Sequence, residues 1–174
     1  MEATISKDFT FSASHQLDGL PEDHPCTRLH GHNYTVRLAI TGHTDTRGFI
    51  IDYRDLGWFK DHLDDVYDHR HLNDIITTTN PTAENIAHHL LDHFMITAPA
   101  RLAGALDHVT SVSMSVSETP KTWATATTHR PCDLPRMHDD RHRERDRWLS
   151  VTMDPHDHDD DRYRWDFTND GTSK

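Results

Sequence analysis

The sequence of 174 residues predicts an α+β fold built on an antiparallel sheet, and three observations carry that reading. Stretches near the N-terminus alternate apolar and polar residues with the period of a half-buried strand. The middle of the chain switches to apolar residues at helical spacing. Alternation then returns before residue 129. Strands, then two helices, then strands is the order of an α+β domain.

Each element has its own signal. Residues 4–14 read as a first strand. In the second, Tyr34, Val36, Leu38 and Ile40 alternate with Thr35, Arg37 and Ala39. A turn-like stretch at 42–47 precedes an apolar run at 48–51, which predicts a third strand. Asp52 is placed to cap a helix carrying Leu56, Phe59, Leu63 and Val66 on one face. Asn80-Pro81 signals a second helix start, followed by Ile86, Ala87, Leu90, Leu91 and Phe94. Val112, Met114 and Val116 alternate with serines in a later strand, and residues 122–128 supply a partner for it.

Residues 1–129 and 130–174 differ in kind. The second stretch is acidic and charge-rich, and Pro131, Pro135 and Pro155 interrupt it. It reads as a loosely ordered C-terminal extension, because it has too little apolar surface to offset chain ordering. Trp148, Tyr163, Trp165 and Phe167 qualify that reading, since they could dock on the body. Hydrophobic residues make up only 34% of the chain, which predicts a thin core completed by oligomerisation. The N-terminus has neither a basic start nor an apolar signal core, and no apolar run reaches membrane-span length. The expectation is a cytoplasmic protein with no membrane partner. A net charge of -11 argues against nucleic-acid binding, which rests on neutralising phosphates, yet leaves room for a small anionic substrate.

The densest chemistry lies in Cys26-Thr27-Arg28-Leu29-His30-Gly31-His32, with His15 at the end of the first strand. Histidines at i and i+2 on an extended chain project to the same face. A third imidazole from a neighbouring strand completes a three-histidine site with one open position, the pattern of catalytic rather than structural zinc. Cys26 is by spacing a fourth ligand, an inert thiol or a reactive thiolate. Asp68-His69 pairs a carboxylate with an imidazole, suited to acid–base work or to a helix C-terminus. Glu118 ends a strand, where an acid is either solvated or matched to paired N–H donors of a ring. His156 and His158 alternate with aspartates and read as part of a solvated charge run.

Seven separated segments then carry a resemblance: FTFSASH (9–15), CTRLHGHNY (26–34), RLAITG (37–42), GFIIDY (48–53), DHRHLND (68–74), NPTAEN (80–85) and SET (117–119). Together they resemble the pterin-synthase family that includes the 6-carboxytetrahydropterin and 6-pyruvoyltetrahydropterin synthases. The resemblance implies zinc held by His15, His30 and His32, Cys26 as catalytic base, and His69 as relay with Asp68 beside it. It places the pterin-anchoring glutamate on Glu118 and a pocket threonine on Thr82. It also implies the tunnelling fold, an antiparallel sheet with two helices on one face. In that fold a barrel is closed by several subunits, a homohexamer of two trimers, with active sites between them. The short Cys-x-x-x-His-Gly-His spacing is similar to the carboxy-forming bacterial branch, which acts on the triphosphate of a reduced pterin. Tyr67 departs from the leucine common at that position, residues 96–107 are slightly long, and the acidic extension has no family counterpart.

Overall fold

The computed structural model describes residues 1–102 and 104–129. The proposed C-terminal extension, with Cys132, its aromatic residues, His156 and His158, lies outside the described residues. Five strands form one sheet in the order β3-β1-β2-β4-β5. They are β1 (Glu2–His15), β2 (His30–His43), β3 (Arg70–His71), β4 (Val109–Thr119) and β5 (Thr122–His129). β1 pairs antiparallel with β2 from Glu2↔His43 to His15↔His30, and β2–β4 and β4–β5 are also antiparallel. Only the two-residue β3 runs parallel, beside Ala13 and Ser14 of β1.

Alternation sorts the sheet into two unlike faces. Phe9, Phe11, Tyr34, Val36, Leu38, Ile40, Val112, Met114 and Val116 are buried on one side. The opposite side carries hydroxyls that bond across strands, as in Thr4–Thr41, Ser113–Thr127 and Ser115–Thr125. Both helices cover the apolar face. In α1 (Gly57–Val66), Phe59 meets Phe9 edge-on at 5.3 Å and Phe94 of α2 (Ala83–Arg101) at 5.6 Å. Burying each such side chain stabilises the fold by about 1.5–3 kcal/mol. No described helix is long and apolar enough to cross a membrane.

The helix starts follow their capping residues. The Asp52 side chain accepts the Arg54 N–H at 2.9 Å and opens a 3-10 turn, Tyr53–Leu56, that leads into α1. The Thr82 hydroxyl accepts the Asn85 N–H at 3.4 Å and caps α2, directly after the buried Pro81. The expected third strand at 48–51 does not form. Asp45 organises a loop there: its carboxylate accepts the backbone N–H groups of Arg47 and Phe49 at 2.8 and 2.9 Å. Gly48 takes φ +90, and Ile50 and Ile51 are buried, so the apolar run plugs the core without joining a ladder.

A histidine stack joins the two helices. His62 of α1 lies flat on His93 of α2, with centroids 3.6 Å apart and rings 4° from parallel. His89 and Tyr67 complete the cluster, with Asp92 nearby on α2 and Thr97 Oγ1 3.4 Å from His93 Nε2. The buried His62 Nε2 has no hydrogen-bond partner. Burial, reinforced by His93 and His89, pushes His62 from 6.5 down to about 4. The folded state therefore resists a proton that the unfolded chain accepts. This contribution to stability is complete above about pH 6.5 and is lost as pH falls towards 4. Its ceiling is about 3 kcal/mol, reduced by the cluster's partial contact with water. Melting curves of wild type should drop steeply between pH 7 and 4, and His62→Phe should flatten that dependence. Parallel curves for the two proteins would remove the stack as the cause.

Candidate functional site

Strand parity assembles the central cluster. His15 continues the inward row of β1 after Phe9, Phe11 and Ala13, and His30 stands directly opposite it on β2. His32, two residues on, faces the same side. Gly31 between them sits in close packing, since a Cβ there would lie 3.0 Å from the Ala13 carbonyl oxygen and press on the facing strand. The three rings sit with centroids 4.4, 5.2 and 5.1 Å apart, and their candidate ligand atoms all lie within 4.8 Å of one another.

Tautomers follow from the partners. His15 Nδ1 donates to the Pro81 carbonyl at 2.8 Å and His30 Nδ1 to the Arg28 carbonyl at 2.7 Å. Each neutral ring is left with an unprotonated Nε2, and these two atoms face each other at 3.0 Å. Two lone pairs at that distance repel unless a cation or proton lies between them. Burial holds the His15 pKa below its ordinary value, which opposes the proton. Three imidazoles, two of them oriented by backbone carbonyls, are a donor set that can hold a metal ion.

A cavity of about 320 Å³ opens beside the cluster, lined among others by His15, Cys26, His30, Thr82, Glu118 and Trp123. Glu118 continues the inward row of Val112, Met114 and Val116, which brings Oε1 to 3.8 Å from His15 Nε2. Cys26 sits in a 3-10 turn, Pro25–Thr27, anchored by its carbonyl accepting the Leu17 N–H at 2.8 Å. Its sulfur is not among the converging ligand atoms.

His69 borders a different space, with Asp68 beside it. A larger cavity, about 630 Å³, is lined by Ser12, Ser14, His32, Asn33, His69 and Arg70 among others. His69 adopts φ +57, held by its N–H donating to the Ser12 carbonyl at 2.6 Å. Asp68 Oδ1 accepts the Ser12 N–H at 2.8 Å, while Oδ2 lies 3.5 Å from His69 Nε2. The His69 side chain is 83% exposed. Within one chain, Cys26 and His69 therefore line separate cavities.

Two asparagines escaped the sequence reasoning. The Asn73 amide bonds both N–H and C=O of Gln16, at 3.0 and 2.9 Å, and the Asn80 amide does the same for Asp18, at 2.8 and 2.8 Å. They pin the chain as it leaves His15. Their only signal was membership of HLND and NPT. Trp123, at the cavity wall, had no signal beyond its place in a strand.

Three convergent imidazoles, a thiol and a carboxylate at one end of an antiparallel sheet have the make-up of a metal-assisted enzyme. Residues 4–129 match the family model described as 6-pyruvoyl tetrahydropterin synthase, and the chain belongs to that family of pterin lyases. It is 37% identical over 94 residues to a 6-carboxy-5,6,7,8-tetrahydropterin synthase from Synechocystis, spanning 48% of this chain and 67% of that one. A dihydroneopterin monophosphate aldolase from Pyrococcus furiosus is 32% identical over 87 residues, covering 50% and 70%. The fold is similar to the crystal structure of 6-pyruvoyl tetrahydropterin synthase from Plasmodium vivax. There the TM-score is 0.61 at 20% identity, covering 75% of this chain and 99% of that one.

Removing any one imidazole should dismantle the cluster's capacity for metal. His30→Ala and His32→Ala are expected to weaken divalent-metal binding by at least about 100-fold, measured by competition with a chelator. Retention of one tightly held ion per chain in His32→Ala would refute this ligand set.

Proposed function

We propose that the chain is a zinc-dependent carbon–carbon lyase of the carboxy-forming type. It would convert 7,8-dihydroneopterin triphosphate and one water into 6-carboxy-5,6,7,8-tetrahydropterin, acetaldehyde and triphosphate. The observation that carries this reading is the shared cavity, in which Cys26, Glu118 and two cluster imidazoles face one space. Zinc held by His15, His30 and His32 would act as a Lewis acid towards the side-chain oxygens. The Glu118 carboxylate would accept the paired N–H groups of the pterin ring and fix its orientation. The Thr82 hydroxyl, at the same wall, would donate a further hydrogen bond to the ring. The Cys26 sulfur would take a proton from a side-chain carbon, and His69, steadied by Asp68, would carry it onward.

That last step needs a second copy of the chain, because Cys26 and His69 do not share a cavity within one. The sheet supports such an assembly. Only Ala13 and Ser14 of β1 are paired on its outer side, and among the described residues β5 has no neighbour beyond β4. Unpaired edges of this length invite strand pairing. A homohexamer of two trimers in the cytoplasm, formed by residues 1–129 with 130–174 as an appendage, is the proposed state. Light scattering should give an oligomer, and a fully active monomer would end this picture.

Incubation with 7,8-dihydroneopterin triphosphate tests the reaction directly, through product mass and acetaldehyde. Triphosphate release without acetaldehyde would point instead to a pyruvoyl-forming enzyme. Cys26→Ala should keep metal and pterin affinity while turnover falls by about 10²–10⁴-fold. Glu118→Ala should weaken pterin binding sharply with metal content unchanged. Loss of metal in Cys26→Ala would make the cysteine a ligand and overturn its role as base.

A further inference from the structure

The proposed chemistry uses two side chains of the larger cavity, His69 and the cluster imidazole His32, and leaves the rest of its lining without a task. That lining is chemically distinct. Arg70 and the imidazoles of His32, His69 and His71 border it, with Ser12, Ser14 and Asn33. The lining itself holds no carboxylate, in a chain whose net charge is -11, and the one beside it, Asp68, is engaged by the Ser12 N–H and lies 3.5 Å from His69 Nε2. The smaller cavity is the reverse, with Glu84 and Glu118 and no lysine or arginine.

Arg70, like Arg28, differs from the described arginines that hold carboxylate partners. Arg37 pairs with Asp8, Arg47 with Asp45 and Arg54 with Asp52, each within 2.8 Å. The Arg70 guanidinium has no carboxylate partner among the described residues. Its backbone is nonetheless fixed, by parallel pairing with Ala13, and the next residue is tied down by the Ser14 Oγ–His71 Nδ1 contact at 3.2 Å. The left-handed backbone of His69, directly before it, is unfavourable for a non-glycine residue and persists only where the surroundings impose it. The turn sets three successive basic or imidazole side chains around one space.

We propose that this cavity binds the phosphate chain of a triphosphate ligand, with Arg70 supplying the fixed charge and Ser14 and His71 additional hydrogen bonds. The proposal rests on the pterin triphosphate reading for its choice of ligand, and on charge for its choice of cavity. The glutamates of the smaller cavity balance the charge of the metal proposed there, whereas this lining offers a guanidinium with no carboxylate partner, whose geometry suits phosphate oxygens. Arg70 follows His69 in the chain, so it accompanies the relay to whichever site that histidine serves.

Calorimetric titration of the metal-loaded protein with inorganic triphosphate tests this without turnover. Arg70→Ala should weaken binding by about 10-fold or more, Arg70→Lys should recover part of it, and added salt should weaken wild type. Phosphate-free 7,8-dihydroneopterin should bind wild type and Arg70→Ala alike. Wild-type affinity for triphosphate in both Arg70→Ala and Arg70→Glu would overturn the proposal, as would no binding to wild type. Arg70-dependent triphosphate binding in a protein indifferent to dihydroneopterin would uphold this cavity while sinking the pterin reaction.

Discussion

The antiparallel register between β1 and β2 is the constraint on which the site and the core both depend. It runs unbroken from Glu2↔His43 to His15↔His30. A slip of one residue would turn Phe9, Phe11 and His15 together onto the hydroxyl-bearing face. The stack of Phe11 on Tyr34, 4.9 Å between centroids, holds the register from the buried side. The fork of Arg37 on Asp8, at 2.7 and 2.8 Å, holds it from the other, although a half-exposed pair contributes little energy. Core and ligand cluster thus share one alignment, and neither can shift alone.

At the site end of the sheet, loops are made rigid by side chains that imitate a neighbouring strand. Asn73 and Asn80 each satisfy both backbone groups of one residue in the segment after His15. Asn80 in turn gives its carbonyl to the Asn85 amide at 2.8 Å, at the start of α2. Pro81, next in the chain, orients the His15 ring. The position of a cluster imidazole is therefore set by the first turn of a helix as well as by its own strand. Changes confined to 80–85 will reach the cluster through that carbonyl.

Much of this was legible in the sequence because period-two alternation is a strong signal over ten or more residues. The two long N-terminal strands and the final hairpin could be read that way, both helices from their 3.6-residue spacing and starting signals, and the HGH pattern implied a shared face. The failures have physical causes. Residues 48–51 are an apolar run too short to separate a strand from a buried loop, and the Asp45 carboxylate decided for the loop. β3 is two residues long, so it has no period at all. The left-handed His69 follows from contacts with Ser12, fifty-seven positions away, which no local pattern announces. The separation of Cys26 from His69 into different cavities likewise depends on which side of the sheet each loop returns to.

The hydroxyl-bearing face has a consequence for how the chain comes into being. Its serines and threonines bond to one another across the strands and are content in water. The apolar face is closed by helices from the same chain. Among the described residues the sheet therefore leaves no apolar face open, although Leu29, Phe49 and Ile96 stay exposed elsewhere. Among the described residues, what stays unpaired is backbone along the outer margins of β1 and β5. Association between copies along these margins would join already folded sheets by main-chain hydrogen bonds. Its pace would be set by collision rather than by the slow ordering of a shared interior.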